Sequence, residues 1–276
     1  MIALALLLIL QPPVERRQAL TPGAGVKIFV PAGRVHLVGW DKDTLVVRGT
    51  VTRGSTFYYG GYHGGVKISV DPDSGSATLD VYVPRSSIVS IKAVSADIDA
   101  SGVSGWFYGV SSRIRLNGTV KNLEAESISG DVTIGVTAPW VRGRTGQGRL
   151  SISGQVSDVS ASTVNGAIDL TTIGLERARV STVNGNIRFA GDPGTQGLVD
   201  IDDYGGPVDL TLPPHMGGEC DVTTVFGTIV SAIPSVRPVT RESGKGQSLA
   251  FAIGHGAARV IVRTFKGDVH VTAPSG

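Results

Sequence analysis

Cysteine and charge are both scarce in this chain. Cys220 is the only cysteine among 276 residues, so no internal disulfide can form. Its apolar register predicts a buried, unreactive thiol. Only 17% of the residues are charged and the formal net charge is +2. This balance argues against nucleic acid as a partner, because nucleic-acid-binding surfaces need clustered lysine and arginine.

Aromatic residues and helical patterns are also rare. Aromatic residues make up 6% of the chain, so the core must be largely aliphatic. No window shows a run of apolar residues at the 3.6-residue spacing of an amphipathic helix. Glycine is abundant, at 38 residues, but has no three-residue period, which excludes collagen. These features predict an all-β protein in which glycine marks the turns.

The motifs of common enzymes and metal sites are missing. The sequence contains no Gly-x-Ser-x-Gly elbow, phosphate-binding loop or dinucleotide fingerprint. The histidines lack ligand spacing and are interpreted as scattered surface side chains, namely His36, His63, His215, His255 and His270. We therefore expect no catalytic residue, no cofactor and no metal ligand, and the chain is not predicted to be an enzyme.

An unbroken apolar run extends from Ile2 to Leu10. It is too short to cross a bilayer and is typical of the middle of a secretory signal. No lysine or arginine precedes it, and no small-residue cleavage motif follows. Residues 1–20 are predicted to be an export leader, with a retained membrane anchor as the alternative. The expected location is the periplasm, the cell surface or the extracellular space.

A short phrase occurs twice in the middle of the chain. Residues 161–170 read ASTVNGAIDL, and residues 180–189 read VSTVNGNIRF. With Gly166 and Gly185 as anchors, equivalent positions recur at intervals of 16 to 21 residues, at Ala96, Ser112, Gly130, Gly148, Gly206, Gly227, Gln247 and Gly267. A fixed period of this size is typical of stacked coils, and ten coils are predicted.

Apolar and polar residues alternate on both sides of each anchor. Val159 and Ala161 precede Gly166, and Ile168 and Leu170 follow it. This period of two predicts two half-buried strands per coil, joined by a turn. We interpret the anchor as a glycine with positive φ. A hydroxyl column that bonds successive turns is predicted three residues earlier, at Ser127, Thr145, Thr163, Thr182, Thr224 and Thr264, with Asp203 as the exception.

Residues 88–273 are therefore predicted to form a parallel β-solenoid of about 18–21 residues per coil. Its inward residues should form one buried aliphatic column that includes Val132, Leu150, Ile168 and Ile187. Residues 21–87 lack the phrase, and their alternating stretches predict an antiparallel β cap. Such a cap would protect the first edge strand and be continuous with the coils as one domain.

Several local motifs resemble a known family. Gly39-Trp40-Asp41-Lys42-Asp43 precedes an alternating strand, Val83-Pro84 precedes serine-rich coils, and a Ser-x-x-Gly-x-φ-x-φ pattern repeats, where φ is apolar. Together they resemble the bacterial putative-adhesin β-strand-repeat family, a domain of unknown function, over roughly residues 25 to 272. The resemblance implies an exported or membrane-associated protein and supplies no catalytic residues.

Outward charges of opposite sign follow successive anchors, at Asp131, Arg149, Asp169, Arg188 and Asp209. Stacked in parallel they would be neighbours about 4.8 Å apart, which predicts a ladder that neutralises itself. The alternative is a polysaccharide lyase or hydrolase that uses these carboxylates as acid and base.

Asp200, Asp202 and Asp203 form the densest acidic cluster. Carboxylates this close together are possible Ca²⁺ ligands, and the following glycines are similar to a calcium-binding repeat. The second Gly-x-Asp step is missing, so a solvated turn is favoured and calcium binding is left open.

Aromatic residues gather in one stretch of the predicted cap, Phe57-Tyr58-Tyr59-Gly60-Gly61-Tyr62-His63. It is predicted to lie between two strands of the cap, and a hairpin folded over the exposed face of the cap is the favoured interpretation. The alternative is a flexible loop whose aromatic faces stack on sugars or insert at an interface. A second group is Trp106-Phe107-Tyr108, in which Phe107 is predicted to point inward.

The function predicted from these observations is that of a non-catalytic, adhesin-like or structural module of the cell envelope. Its expected partner is a protein or glycan at the cell surface. An envelope sensor that binds a small ligand through Tyr58–His63 is a further alternative.

Overall fold

The computed structural model describes residues 13–71, 75–241 and 245–273. These residues form strands, turns and bends and contain no helix, which confirms the all-β prediction. Most of the predicted leader, residues 1–12, lies outside the described ranges. The strands are β1 (Pro13–Ala19), β2 (Gly25–Trp40), β3 (Thr44–Val51), β4 (Phe57–Tyr62), β5 (Gly65–Val70), β6 (Ser76–Pro84), β7 (Ile88–Ser101), β8 (Ser104–Gly109), β9 (Ile114–Thr119), β10 (Asn122–Ser127), β11 (Val132–Thr145), β12 (Leu150–Ser162), β13 (Ile168–Ile173), β14 (Arg177–Thr182), β15 (Ile187–Phe189), β16 (Leu198–Asp203), β17 (Val208–Thr211), β18 (Gly218–Thr224), β19 (Ile229–Ser231), β20 (Val239–Thr240), β21 (Gln247–Ile253), β22 (Ala258–Thr264) and β23 (Val269–Thr272).

Most strands belong to rungs, each made of two consecutive strand segments joined by a corner. Successive rungs pair in parallel, as β12 does with β13 and β14. One segment of each rung lies on the front face, which comprises β5, residues 25–30 of β2, residues 88–93 of β7, β8, β10, residues 140–145 of β11, residues 158–162 of β12, β14, β16, β22 and β18. The other lies on the back face, which comprises β6, residues 32–40 of β2, residues 95–101 of β7, β9, residues 132–138 of β11, residues 150–156 of β12, β13, β15, β17, β23 and β19.

The core lies between the two faces and is aliphatic. Side chains alternate between buried and exposed along the strands, as they do from Val132 to Ala138. The predicted column is confirmed, because Leu150 is the register partner of both Val132 and Ile168, and all three are fully buried. Ile187 continues it. Full burial of one such side chain contributes about 1.5–3 kcal/mol, so the stacked aliphatic columns hold the rungs together.

The anchor glycines are required for a different reason from the predicted one. Neither Gly166 nor Gly185 has a positive φ, so that part of the interpretation is wrong. A Cβ placed on Gly185 would lie 1.8 Å from the carbonyl oxygen of Gly166. One on Gly166 would lie 1.9 Å from the carbonyl oxygen of Gly148. Glycine is needed because the backbones of successive rungs touch at this corner.

The predicted hydroxyl column is confirmed beside these glycines. The Thr163 hydroxyl donates to the carbonyl of Gly166 at 2.6 Å, and its oxygen lies 2.9 Å from the Thr182 hydroxyl oxygen. The backbone N–H of Gly185 donates to the Thr182 hydroxyl at 3.0 Å. Each buried hydroxyl therefore bonds its own turn, and some also bond the next one.

The order of rungs departs from chain order at the C-terminal end. β22 pairs in parallel with β16 on one side and with β18 on the other. β23 likewise lies between β17 and β19. The last rung in the sequence is therefore inserted between the two that precede it. The predicted coil at Gln247 is wrong, because β21 pairs antiparallel with β18 and covers the end of the front face.

The antiparallel cap predicted for residues 21–87 is only partly correct. β1, β3 and β4 do pair antiparallel with β3, β6 and β5, respectively. β2, however, pairs in parallel with β5, β6 and β7. β5 and β6 therefore form an outer rung stacked on β2. Residues 13–19 of the predicted leader form β1. The sequence conceals this arrangement because the first rungs lack the repeated phrase and are stacked out of chain order.

The corner contact predicts a large effect of Gly185→Ala. We expect it to lower the free energy of unfolding by about 2–3 kcal/mol, because its Cβ meets a carbonyl that cannot move away. Gly64→Ala is the matched control, since a Cβ there meets nothing within 4 Å. Urea unfolding of the two variants measures the difference. Equal midpoints would contradict the corner-packing explanation.

Candidate functional site

A patch of lysines and aromatic rings covers one end of the front face. It is formed by the outward residues of β4, β5, β2, β7 and β8, which alternate with buried core residues. We call it the lysine–aromatic patch, and its members are Tyr58, Tyr62, Lys67, Ser69, Lys27, Phe29, Ser90, Lys92, Trp106 and Tyr108.

Strand register brings these residues together although they are far apart in the sequence. Ser69 is the register partner of Tyr58 on β4 and of Phe29 on β2. Lys92 is the partner of Phe29 on one side and of Tyr108 on the other. The side chains therefore form a continuous surface across five neighbouring strands.

Two aromatic rings of the patch, those of Tyr58 and Tyr62, are exposed, and those of Phe29, Trp106 and Tyr108 are half-buried. Tyr58 is 57% exposed and Tyr62 is 85% exposed. The rings of Trp106 and Tyr108 are stacked, with centroids 5.6 Å apart and planes 18° apart. The ammonium of Lys92 lies 5.3 Å from the centroid of Trp106, within range of a cation–π contact. Ring faces and ammonium groups are thus offered on the same surface.

Two shallow depressions lie in the patch and meet at Lys67 and Ser69. One has a volume of ≈ 290 Å³ and is also lined by Lys27, Phe29 and Lys92. The other has a volume of ≈ 560 Å³ and lies beside Tyr58, Tyr59 and Gly60. Their shape suits an extended ligand lying on the surface better than a small molecule enclosed in a pocket.

The positive charges of the three lysines in the patch are not balanced by an acidic partner among the described residues. Among the described residues, no carboxylate forms an ion pair with Lys27, Lys67 or Lys92. The next outward acids along the front face are Glu124 and Glu126 on β10, beside Trp106 and Tyr108. The patch is therefore positively charged, and Glu124 at its border is paired with Arg142 on β11 at 3.7 Å.

Residues 57–62 form a strand of a hairpin, as the favoured interpretation of this stretch predicts, and not the flexible loop of the alternative. β4 pairs antiparallel with β5, and Phe57 and Tyr59 pack against the core. The Tyr59 hydroxyl donates to Gln18 Oε1 at 3.0 Å, and burial raises the pKa of this phenol. His63 Nδ1 lies 3.2 Å from the carbonyl oxygen of Ala19. These contacts hold Tyr59 and His63 in place, as a hairpin folded over the cap requires.

The back face carries the predicted ladder of alternating charges. Arg188 lies 3.8 Å from Asp169 and 3.6 Å from Asp209. Arg149 also pairs with Asp169, and its backbone N–H donates to Asp131 at 2.9 Å. The ladder is thus confirmed. The carboxylates that the lyase or hydrolase alternative would use lie against cationic or N–H donors, without a converging acid–base pair.

The three clustered aspartates do not converge on one point. Asp200 and Asp202 point outward, where both contact the guanidinium of Arg263, the latter at 2.8 Å. Asp203 points inward and is buried. In the described part of the chain, no group of three or more His, Cys, Asp or Glu side chains is arranged to hold a metal ion. Strand alternation has separated the carboxylates that the sequence places side by side.

The remaining candidates have structural partners. Cys220 is buried, and burial raises the pKa of its thiol to about 12, in agreement with the predicted inert thiol. His36, His215 and His270 each contact one aspartate, at 3.1, 2.8 and 3.1 Å. Phe107 is fully buried, as predicted.

Comparison with known proteins identifies the family. The model of the Toastrack DUF4097 family matches residues 31–272. The chain belongs to this Toastrack family. The predicted resemblance to an adhesin-like β-repeat domain of unknown function is thereby confirmed.

Three of the solved structures that are similar to this Toastrack chain are described as putative adhesins or cell adhesion proteins. A putative adhesin from Bacteroides fragilis has a TM-score of 0.50 and 10% identity, with 95% of this chain and 97% of that one covered. A putative adhesin from Parabacteroides distasonis has a TM-score of 0.47 and 9% identity, covering 95% and 98%. A putative cell adhesion protein from Clostridium sporogenes has a TM-score of 0.32 and 10% identity, covering 95% and 100%. At these identities the first likeness shows the fold alone. No curated protein matches the chain.

The described residues contain no helix that is long and apolar enough to span a membrane.

Asp203 interrupts the hydroxyl column of this Toastrack chain. Burial raises its pKa from 3.8 to about 7, against the opposing effect of the backbone N–H groups of Gly206, Tyr204 and Gly205. Neither carboxylate oxygen receives a well-formed hydrogen bond from the described residues. Above about pH 7 the fold therefore holds a poorly compensated charge at a position where the neighbouring rungs hold a hydroxyl.

This geometry predicts a pH-dependent stability. Because folding raises the pKa of Asp203, its stabilising contribution is complete below pH 3.8 and is lost as the pH rises to about 7. Asp203→Thr should remove this dependence and increase the free energy of unfolding at about pH 8 by about 1–3 kcal/mol. Asp202→Thr, at the adjacent outward position, is the control and should give no such gain. Identical pH profiles for Asp203→Thr and the wild type, measured by urea unfolding, would refute the assignment.

Proposed function

We propose that this protein is an exported, non-catalytic β-solenoid of the cell envelope, and that its lysine–aromatic patch recognises a glycan at a cell surface. The observation that carries the proposal is the combination of exposed ring faces and shallow depressions on a rigid sheet. Sugars present flat C–H faces that pack on aromatic rings, and hydroxyls that bond to polar neighbours such as Ser69 and Ser90.

Preorganisation supports recognition by this patch. Its residues lie on five hydrogen-bonded strands, so little conformational freedom is lost when a ligand binds. Inward residues on the same strands, such as Ile28, Ile68 and Ile91, are almost fully buried and hold the strands in register. The backbone of the patch is therefore already in place before a ligand binds.

The chemistry of the surface favours binding over catalysis. The outward residues of the patch include no carboxylate and no histidine. The carboxylates on the back face are engaged by arginines of the ladder. Export is supported by the apolar run at residues 2–10 and by the adhesin-like family.

The proposal predicts that Tyr58→Ala and Trp106→Ala each weaken glycan binding about five- to tenfold, because each removes a ring face from the patch. Tyr204→Ala is the matched control, since this tyrosine is 49% exposed but lies in the corner between β16 and β17. A glycan array with the wild-type chain, followed by titration of its bound glycans with the variants, makes the measurement. An array without wild-type binding, or equal losses in all three variants, would count against the proposal.

A further inference from the structure

We propose that the lysine–aromatic patch selects anionic polysaccharides whose sugars carry carboxylates. This inference rests on the proposed function and adds the charge of the ligand to it. The observation behind it is the spacing of Lys27, Lys67 and Lys92 among the ring faces of the patch.

The lysines are placed where charges of the same sign disfavour folding. Lys27 and Lys67 are register partners on neighbouring parallel strands, which are about 4.8 Å apart. Lys92 lies on the next strand, on the other side of Lys27. Like charges directly across from each other destabilise a sheet. An external anion bound between these ammonium groups would relieve the repulsion.

The contrast with the back face strengthens this argument. There, neighbouring rungs place Asp169 between Arg149 and Arg188, so that opposite charges neutralise each other. The same stacking geometry therefore accommodates alternating charges in this chain. On the front face, the outward positions of β4, β5, β2, β7 and β8 carry three lysines and no acid.

The aromatic residues and the size of the patch favour a polysaccharide among possible anions. Phe29 lies between Ser69 and Lys92, and Lys92 lies over Trp106, so ring faces and ammonium groups alternate within a short distance. The patch extends over five strands, which span about 20 Å. A region of this size fits a few sugar units, each with a ring face and at most one carboxylate.

The test compares charged and neutral forms of the same polymers. Polygalacturonate and alginate are titrated against the wild-type chain, each beside its methyl-esterified form, which keeps the sugar backbone and removes the charge. We expect the acid forms to bind at least about tenfold more tightly than the esters, and this preference to decrease as salt is raised from about 0.05 M to about 0.5 M.

Two triple variants locate the effect. Lys27, Lys67 and Lys92 are replaced together by Gln, and the control replaces Lys42, Lys121 and Lys266, which are exposed residues in turns outside the patch. Both variants lose the same net charge. We expect the patch variant to lose about tenfold or more in affinity for the acid polymers, whereas the control keeps most of it. Thermal melting verifies that both variants fold.

Each other outcome overturns the inference. Equal binding of acid and ester forms, with losses in Tyr58→Ala and Trp106→Ala, would disprove the charge selection and leave the proposed glycan recognition intact. Equal losses in the two lysine variants would show that net charge, rather than the patch, attracts the polymers. Tighter binding to anionic lipid vesicles or duplex DNA than to both acid polymers would reject a polysaccharide as the ligand. An absence of binding to either polymer overturns the inference, and together with an empty glycan array it also overturns the proposed function.

Discussion

Backbone contact at the glycine corners is the constraint on which the rest of the structure depends. A Cβ on an anchor glycine would lie about 2 Å from the carbonyl oxygen of the neighbouring rung, as at Gly166 and Gly185. Since no side chain separates the rungs there, the backbones stack closely enough for hydroxyls such as Thr163 and Thr182 to meet. The same spacing aligns the aliphatic residues of each strand into buried columns. It also fixes the positions of the outward side chains, so that outward residues of neighbouring rungs lie next to each other and form a continuous surface.

The two ends of the stack are closed by related arrangements. At the N-terminal end, β5 and β6 form an outer rung on β2 and are covered by the antiparallel strands β3 and β4. At the C-terminal end, β18 and β19 form the outer rung, β22 and β23 return inside it, and β21 covers β18. In both cases an antiparallel strand lies against the outer parallel rung and occupies an edge that another chain could otherwise extend. The last strand of the chain, β23, is not an edge strand, because it lies between β17 and β19.

The lysine–aromatic patch and the charge ladder use the same geometry in opposite ways. In the ladder on the back face, charges of opposite sign are stacked, and the surface neutralises itself through pairs such as Arg188 with Asp209. In the patch, at one end of the front face, Lys27 and Lys67 are register partners and Lys92 lies on the next strand, with no ion pair to a carboxylate among the described residues. Stability alone favours the first arrangement, since like charges on adjacent strands repel. The second is explained most simply by a ligand that supplies the missing negative charge. The proposed glycan recognition and the preference for carboxylates both follow from this difference.

The period of two, the aliphatic columns, the hydroxyl column and the charge ladder could all be predicted from the sequence, because each depends on a local pattern repeated at a fixed interval. Val132, Leu150 and Ile168 are examples, since their spacing alone aligns them. The chain could not reveal which rungs are neighbours at the ends: β2 and β5 lack the repeated phrase, and the rungs of β16, β18 and β22 carry equivalent anchors but stack in an order that differs from chain order. The lysine–aromatic patch was hidden for the same reason, since Lys27, Lys67 and Lys92 become neighbours only through that pairing. Local alternation determines which side of a strand a residue faces, whereas the partner across the strand is decided by hydrogen bonds between distant segments.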